Sequence, residues 1–210
     1  MLLTLTARDL LLASWEVDPE RVERPLPAGV RPLVTDGGSA VVSLVAYRNE
    51  DVRLDGRRTP SFAQVNVRTY VERDGEPAIF LLSMRVTAAG LGGVLFGAPY
   101  RPATIRARPG EVRARGLGLS VRYRSGGPAV EVPAFQTGAV GSQTVAYYWA
   151  AGLRRVPSEH DGFAWQAAEL EEPPRVEPVL ALGFDLDAPD SLLYAERTAF
   201  RVELPPETVT

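Results

Sequence analysis

The sequence predicts an α+β fold in which antiparallel β-structure predominates and helices are few and short. Three observations predict it. Eighteen prolines and nineteen glycines are spread through 210 residues, which favours many short strands joined by turns over long helices. Residues 64–84 alternate in the manner of a hairpin, with Val65, Val67, Thr69 and Val71 on one side and Asn66, Arg68, Tyr70 and Glu72 on the other. Asp74-Gly75 supplies its turn, and Ile79 to Met84 runs back as the second strand. Residues 103–124 form a three-stranded meander with one dry face, carrying Ile105, Val112, Ala114, Leu119, Val121 and Tyr123. Its other face carries Arg106, Arg108, Arg113, Arg115, Arg122 and Arg124. With 45% hydrophobic residues, the chain can bury a core of one large domain, 1–210.

Taken in order, residues 10–17 predict a first strand. Asp18-Pro19-Glu20 then starts a short helix, because the aspartate can cap free amides and proline suits the first helical position. Pro25 and Pro27 end it. Residues 30–48 predict a hairpin turning at Asp36-Gly37-Gly38, and the polar residues 49–62 a mobile loop ahead of the central hairpin. Residues 88–97 have the spacing of a short helix, yet their four glycines each cost roughly 1 kcal/mol relative to alanine. Residues 142–149 read as a short helix or strand, 162–170 as a strand and 192–204 as the terminal strand, with irregular chain around Pro173, Pro174 and Pro178.

Three absences narrow the chemistry. Without cysteine there is no disulfide, no thiol nucleophile and no cysteine-ligated metal. Without lysine there is no side-chain amine for an imine and no phosphate loop of the Gly-x-x-x-x-Gly-Lys kind, since all 23 basic side chains are arginine. The one histidine, His160, sits in His160-Asp161-Gly162, which reads as a turn, and no Gly-x-Ser-x-Gly elbow accompanies it. Asp185, Asp187 and Glu196 match the first, third and last places of a calcium loop. Pro189 and Asp190 break that pattern, so no metal site is expected. The net charge of -3 argues for neither nucleic acid nor membrane partners. No stretch reaches the ~20 apolar residues of a span. These features suggest a cytoplasmic protein without a cofactor. They leave the oligomeric state open.

The six sheet arginines could bind an acidic partner, or be a solvated face paired with glutamates; no aromatic side chain interleaves them as single-strand binding requires. Arg8, Arg68 and Arg101 differ, because each adjoins apolar sequence where a charge needs a partner. Each could form a buried ion pair or part of a pocket for an acidic ligand.

The order of segments resembles the acetoacetate-decarboxylase-like superfamily, most closely its uncharacterised YqjF-like branch. The residues that carry the resemblance are Arg8-Asp9, Val17-Asp18-Pro19-Glu20-Arg21-Val22 leading to Leu26-Pro27-Ala28-Gly29-Val30, and Val65-Asn66-Val67-Arg68-Thr69-Tyr70-Val71. Gly75-Glu76-Pro77-Ala78-Ile79 followed by Gly97-Ala98-Pro99-Tyr100-Arg101 completes it. It implies a cone-like, closed or partly closed β-barrel around an apolar small-molecule cavity. In the decarboxylases two adjacent lysines follow the proline of that last turn, one forming the imine and the other lowering its pKa. Here Tyr100 and Arg101 stand in those places, so the imine route is closed. The family's glutamate ahead of the central strand is matched by Gln64, and its carboxylate-binding arginine by Arg8.

The sequence therefore suggests a binder of small carboxylates, or an enzyme of altered mechanism. Arg8 and Arg101 would hold the anion, Gln64 and Tyr100 would donate hydrogen bonds, and Tyr100 is the candidate general acid. The alternative is a non-catalytic interaction module working through the arginine sheet face.

Overall fold

In the computed structural model, residues 1–88, 97–132, 145–177 and 182–209 are described. The predicted helical stretch at 88–97 lies almost wholly outside them. The long apolar run at the start folds as one strand, β1 (Leu2–Val17), beginning at Leu2 rather than at Leu10. Asp18 stops it: its carboxylate accepts the Glu20 amide at 2.9 Å, and Pro19 opens the five-residue helix α1 (Pro19–Glu23).

The hairpin expected over 30–48 does not form as such. Its first arm keeps only a bridge from Val34 to Ala40, while β2 (Arg31–Pro32) pairs with the end of the central hairpin at Glu72 and Val71. The expected loop at 49–62 is also largely strand. β3 (Ala40–Leu54) continues through it, turns at Asp55-Gly56 and returns as β4 (Arg57–Arg58). Both turn residues have positive φ, 47° and 78°, the freedom such a tight reversal demands. The polar appearance of this stretch misleads because Asn49 and Val52 are buried.

The central hairpin forms as predicted, from β5 (Phe62–Arg73) and β6 (Glu76–Val86). β7 (Arg101–Pro102) then adds to β6 in parallel. The meander forms too, as β8 (Thr104–Arg108), β9 (Glu111–Arg115) and β10 (Leu119–Arg124). β11 (Val145–Trp149) settles the ambiguity at 142–149 as strand for its described residues. β12 (Leu153–His160) carries His160 at its end. The single strand expected at 162–170 is instead two short ones, β13 (Gln166–Ala167) and β14 (Glu169–Leu170), which pair with different sheets. β15 (Ser191–Glu203) runs beside β1 along nearly its whole length, and β16 (Glu207–Thr208) pairs with β12.

The large sheet is ordered β15-β1-β3-β5-β6-β11-β12, and β12 pairs back onto β15 through Ser158–Val202 and His160–Phe200. The sheet is thus ring-like and antiparallel, except at β6–β11 and at the appended β7. No helix among the described residues is long and apolar enough to cross a membrane.

β1, β3 and β5 are buried on both faces over long stretches, and period-two alternation sends neighbouring residues to opposite sides. On the outer face Leu11, Val42, Leu44, Val65 and Val67 pack with Val112, Val121 and Tyr123 of the four-stranded sheet. On the inner face Leu10, Leu12, Val41, Val45, Tyr70, Trp165 and Leu193 form a second cluster. A bulge between Arg8 and Leu11 shifts the register of β1, with Asp9 held at a φ of 52°. That shift turns the Asp9 carboxylate to the outer side, where it accepts from Arg48 at 2.7 Å and from the Tyr194 hydroxyl at 3.1 Å.

Candidate functional site

The polar stripe of β5 builds the site. Gln64, Asn66, Arg68 and Tyr70 fall on the inner face because Val65 and Val67, between them, belong to the outer core. An amide chain crosses the inner face at one end. Asn49 donates to the Gln64 carbonyl at 3.3 Å, Gln64 donates to Asn66 at 2.9 Å, and Asn66 donates to the Tyr47 hydroxyl at 3.4 Å. A hydroxyl ladder fixes the other end. Ser14 and Ser43 share a hydrogen bond at 2.8 Å, and Ser43 shares another with the Tyr70 hydroxyl at 3.1 Å. Arg68 donates to that same hydroxyl at 3.2 Å and lies 5.5 Å from the ring centroid.

Arg68 has no carboxylate within ion-pair distance among the described residues. A half-buried guanidinium cannot shed its proton, so an anion is the natural complement to its charge. Arg68 Nε, Asn49 Oδ1 and the Tyr148 hydroxyl are buried without a hydrogen-bond partner among the described residues. Each such atom costs about 1–3 kcal/mol unless something satisfies it.

Tyr100 joins this group. The Gly97-Ala98-Pro99 turn, with Gly97 at a φ of 80°, delivers it to the strand edge at β7. Its phenol is pushed well above the ordinary range, chiefly by burial and further by the Tyr47 and Tyr148 phenols, with a hydrogen bond from Gln64 pulling the other way. Tyr47 is pushed up to about 12 by burial, against the pull of Arg68 and of Asn66. Burial likewise raises Tyr148, opposed by Arg154. All three are therefore neutral hydroxyls at physiological pH, able to donate hydrogen bonds and unable to act as bases.

His160 also faces inward. Its ring lies 4.7 Å from that of Phe163 and 5.7 Å from that of Phe200, and its Nδ1 accepts the Gly162 amide at 3.0 Å. Burial, then Arg68, lower its pKa, so the imidazole is neutral and packed.

Of the four residues singled out from the sequence, the structure brings two together. Gln64 and Tyr100 meet on the inner face. Arg8 does not join them. Its neighbour Ala7 packs inward, whereas Arg8 points outward, 3.5 Å from Glu50 and 3.9 Å from Glu196. Arg101, the first residue of β7, instead lines an external groove with its register partner Arg85. The phenol and the guanidinium that replace the lysine pair are thus on opposite faces. Tyr47, Asn49, Asn66 and Tyr148 were not singled out as site residues. The signal for Asn66 and Arg68 is their shared parity with Gln64.

On the arginine sheet face, Glu111 pairs with Arg106, Arg108 and Arg113 at 3.9, 2.7 and 2.7 Å. Arg122 and Arg124 reach Glu171 and Glu169 at 3.9 and 3.5 Å. The reading of a solvated, glutamate-paired face fits these five arginines. The calcium-loop match has no spatial counterpart: Glu196 is a strand residue reaching Arg8, and the Asp187 carbonyl accepts from the Trp15 indole at 3.0 Å. No group of three or more His, Asp or Glu that could hold a metal occurs among the described residues.

The family DUF2071, described as an uncharacterized conserved protein, matches residues 4–199. The chain belongs to the DUF2071 family. No curated protein matches the sequence. Among solved structures, this DUF2071 chain is similar to acetoacetate decarboxylase from Legionella pneumophila, with a TM-score of 0.66 at 13% identity, covering 99% of this chain and 87% of that one. It is similar also to the enduracididine biosynthesis enzyme MppR with HEPES buffer bound, with a TM-score of 0.64 at 16% identity and coverage of 100% and 88%. MppR complexed with pyruvate gives a TM-score of 0.58 at 17% identity, with coverage of 100% and 91%. The fold is therefore acetoacetate-decarboxylase-like, as the sequence motifs implied.

Proposed function

We propose that this chain is a single domain that binds a small carboxylate inside its ring, taken as a cone-like barrel, with Arg68 as the anchor in place of Arg8 and Arg101. The observation that carries this is the guanidinium of Arg68, held by Tyr70 and with no carboxylate within ion-pair distance among the described residues. An anion seated there would take up Arg68 Nε, and its remaining polar atoms would meet the Tyr100, Tyr148 and Tyr47 hydroxyls. The apolar inner cluster would hold the body of the ligand. MppR, a protein of similar fold, has been seen with pyruvate, which supports a short keto acid as the first class to try.

Without lysine, decarboxylation through an imine is unavailable to this chain. Any reaction would be non-covalent polarisation of a carbonyl by phenol donors, with Tyr100 as proton donor. The sheet arginines give less support to an interaction module, since Glu111, Glu169 and Glu171 already engage five of them.

The test is thermal stabilisation across a panel of short keto, hydroxy and dicarboxylic acids. A true ligand at a hundredfold excess over its Kd stabilises by about 2.7 kcal/mol. The stabilisation should vanish in Arg68→Gln and survive in Arg8→Gln. A flat response across the panel contradicts the proposal.

A further inference from the structure

The external groove beside β6 gathers four arginines and two exposed apolar side chains. Its volume is about 670 Å³, within the usual size range of small-ligand sites, and its lining includes Arg21, Arg24, Arg85, Arg101, Trp149 and Leu182. Its ionisable lining residues are these four arginines, and none of them has a carboxylate within ion-pair distance among the described residues.

Arg85 and Arg101 are direct partners in the parallel β6–β7 register, so their guanidiniums project side by side. Arg85 Nε is buried and has no hydrogen-bond partner among the described residues. Burial, and after it the proximity of Arg101, lower the pKa of Arg85. Arg21 is fixed at the rim by its bond to the Gly183 carbonyl at 2.6 Å and by its position 5.8 Å from the Phe184 ring centroid.

Two of the large hydrophobic side chains most exposed to solvent, Trp149 at 57% and Leu182 at 44%, line the same groove. An exposed indole beside unpaired guanidiniums suits a flat, apolar body attached to a charged head.

We propose that this groove is a second binding site, separate from the ring interior, for an aromatic phosphate monoester. The phosphate bridges Arg85 and Arg101, whose planar forks suit its oxygens, and the aromatic ring lies against Trp149.

The test is calorimetric titration of 1-naphthyl phosphate into the full chain, with 1-naphthol and inorganic phosphate as the two half-ligands. Wild type should bind 1-naphthyl phosphate, and each half-ligand at least about tenfold more weakly. The Arg85→Gln/Arg101→Gln double variant should lose at least about tenfold, as expected for charge-assisted hydrogen bonds. Arg101→Gln alone, at an exposed position, should also weaken binding and covers the case in which the double variant fails to fold. Arg68→Gln should bind as wild type does, which separates this site from the interior one. No binding by wild type, undiminished binding by the arginine variants, or loss confined to Arg68→Gln overturns the proposal.

Discussion

Arg68 donates to the hydroxyl of Tyr70, two residues on along the same face of β5, at 3.2 Å. That hydroxyl is also tied to Ser43, and through it to Ser14, so three adjacent strands hold one cation in place. Preorganisation of this kind is what an anion site requires, because the guanidinium need not be ordered when the ligand arrives.

Tyr70→Phe should therefore have two effects. It removes the shared hydroxyl from a fully buried position and leaves Arg68 and Ser43 short of a partner. A loss of about 1–3 kcal/mol is expected in urea denaturation. Carboxylate affinity should fall as well, although the phenol itself need not touch ligand. Unchanged stability would show that the ladder carries no weight.

The single histidine permits a clean pH test. Burial, chiefly, holds the folded His160 pKa below its ordinary value of 6.5. As pH falls below 6.5 the unfolded chain takes up a proton that the folded chain does not, so stability declines toward the folded value. The ring resonances should titrate with a midpoint below 6.5, and His160→Gln should flatten the decline. A midpoint at or above 6.5 would contradict the packed, neutral assignment.

The phenols give the alkaline counterpart. Tyr47 titrates at about 12 when folded, against 10.0 for an ordinary tyrosine. Between those values the unfolded state loses its proton first, so stability falls as pH rises from about 10 to about 12. Tyr47→Phe should lessen that fall, read from urea midpoints across the window. Absorbance at alkaline pH should show phenols ionising late, together with unfolding.

The fold was legible where one period governs a whole segment. The hairpin at Asp74-Gly75 and the meander with its arginine face needed only alternation and turn residues. β3 was missed beyond Tyr47 because Arg48, Asn49, Glu50 and Asp51 look like loop. In the ring, Asn49 is buried by pairing its side chain with Gln64, a contact fifteen residues away in the chain. Alternation could not separate Tyr100 from Arg101, because Tyr100 precedes β7 rather than lying on it. Arg8 was harder. Only the bulge at Asp9 and the acids on neighbouring strands decide its direction.

If Arg68 holds the anion inside the ring, a heavy-atom carboxylate will report it. Crystals soaked in 3-bromopropionate and measured at the bromine edge test it most directly. An anomalous peak is expected on the inner face of the ring, with the carboxylate hydrogen-bonded to Arg68 and the peak lost in Arg68→Gln. A peak beside Arg8 and Glu50, or none inside the ring at saturating ligand, would contradict it.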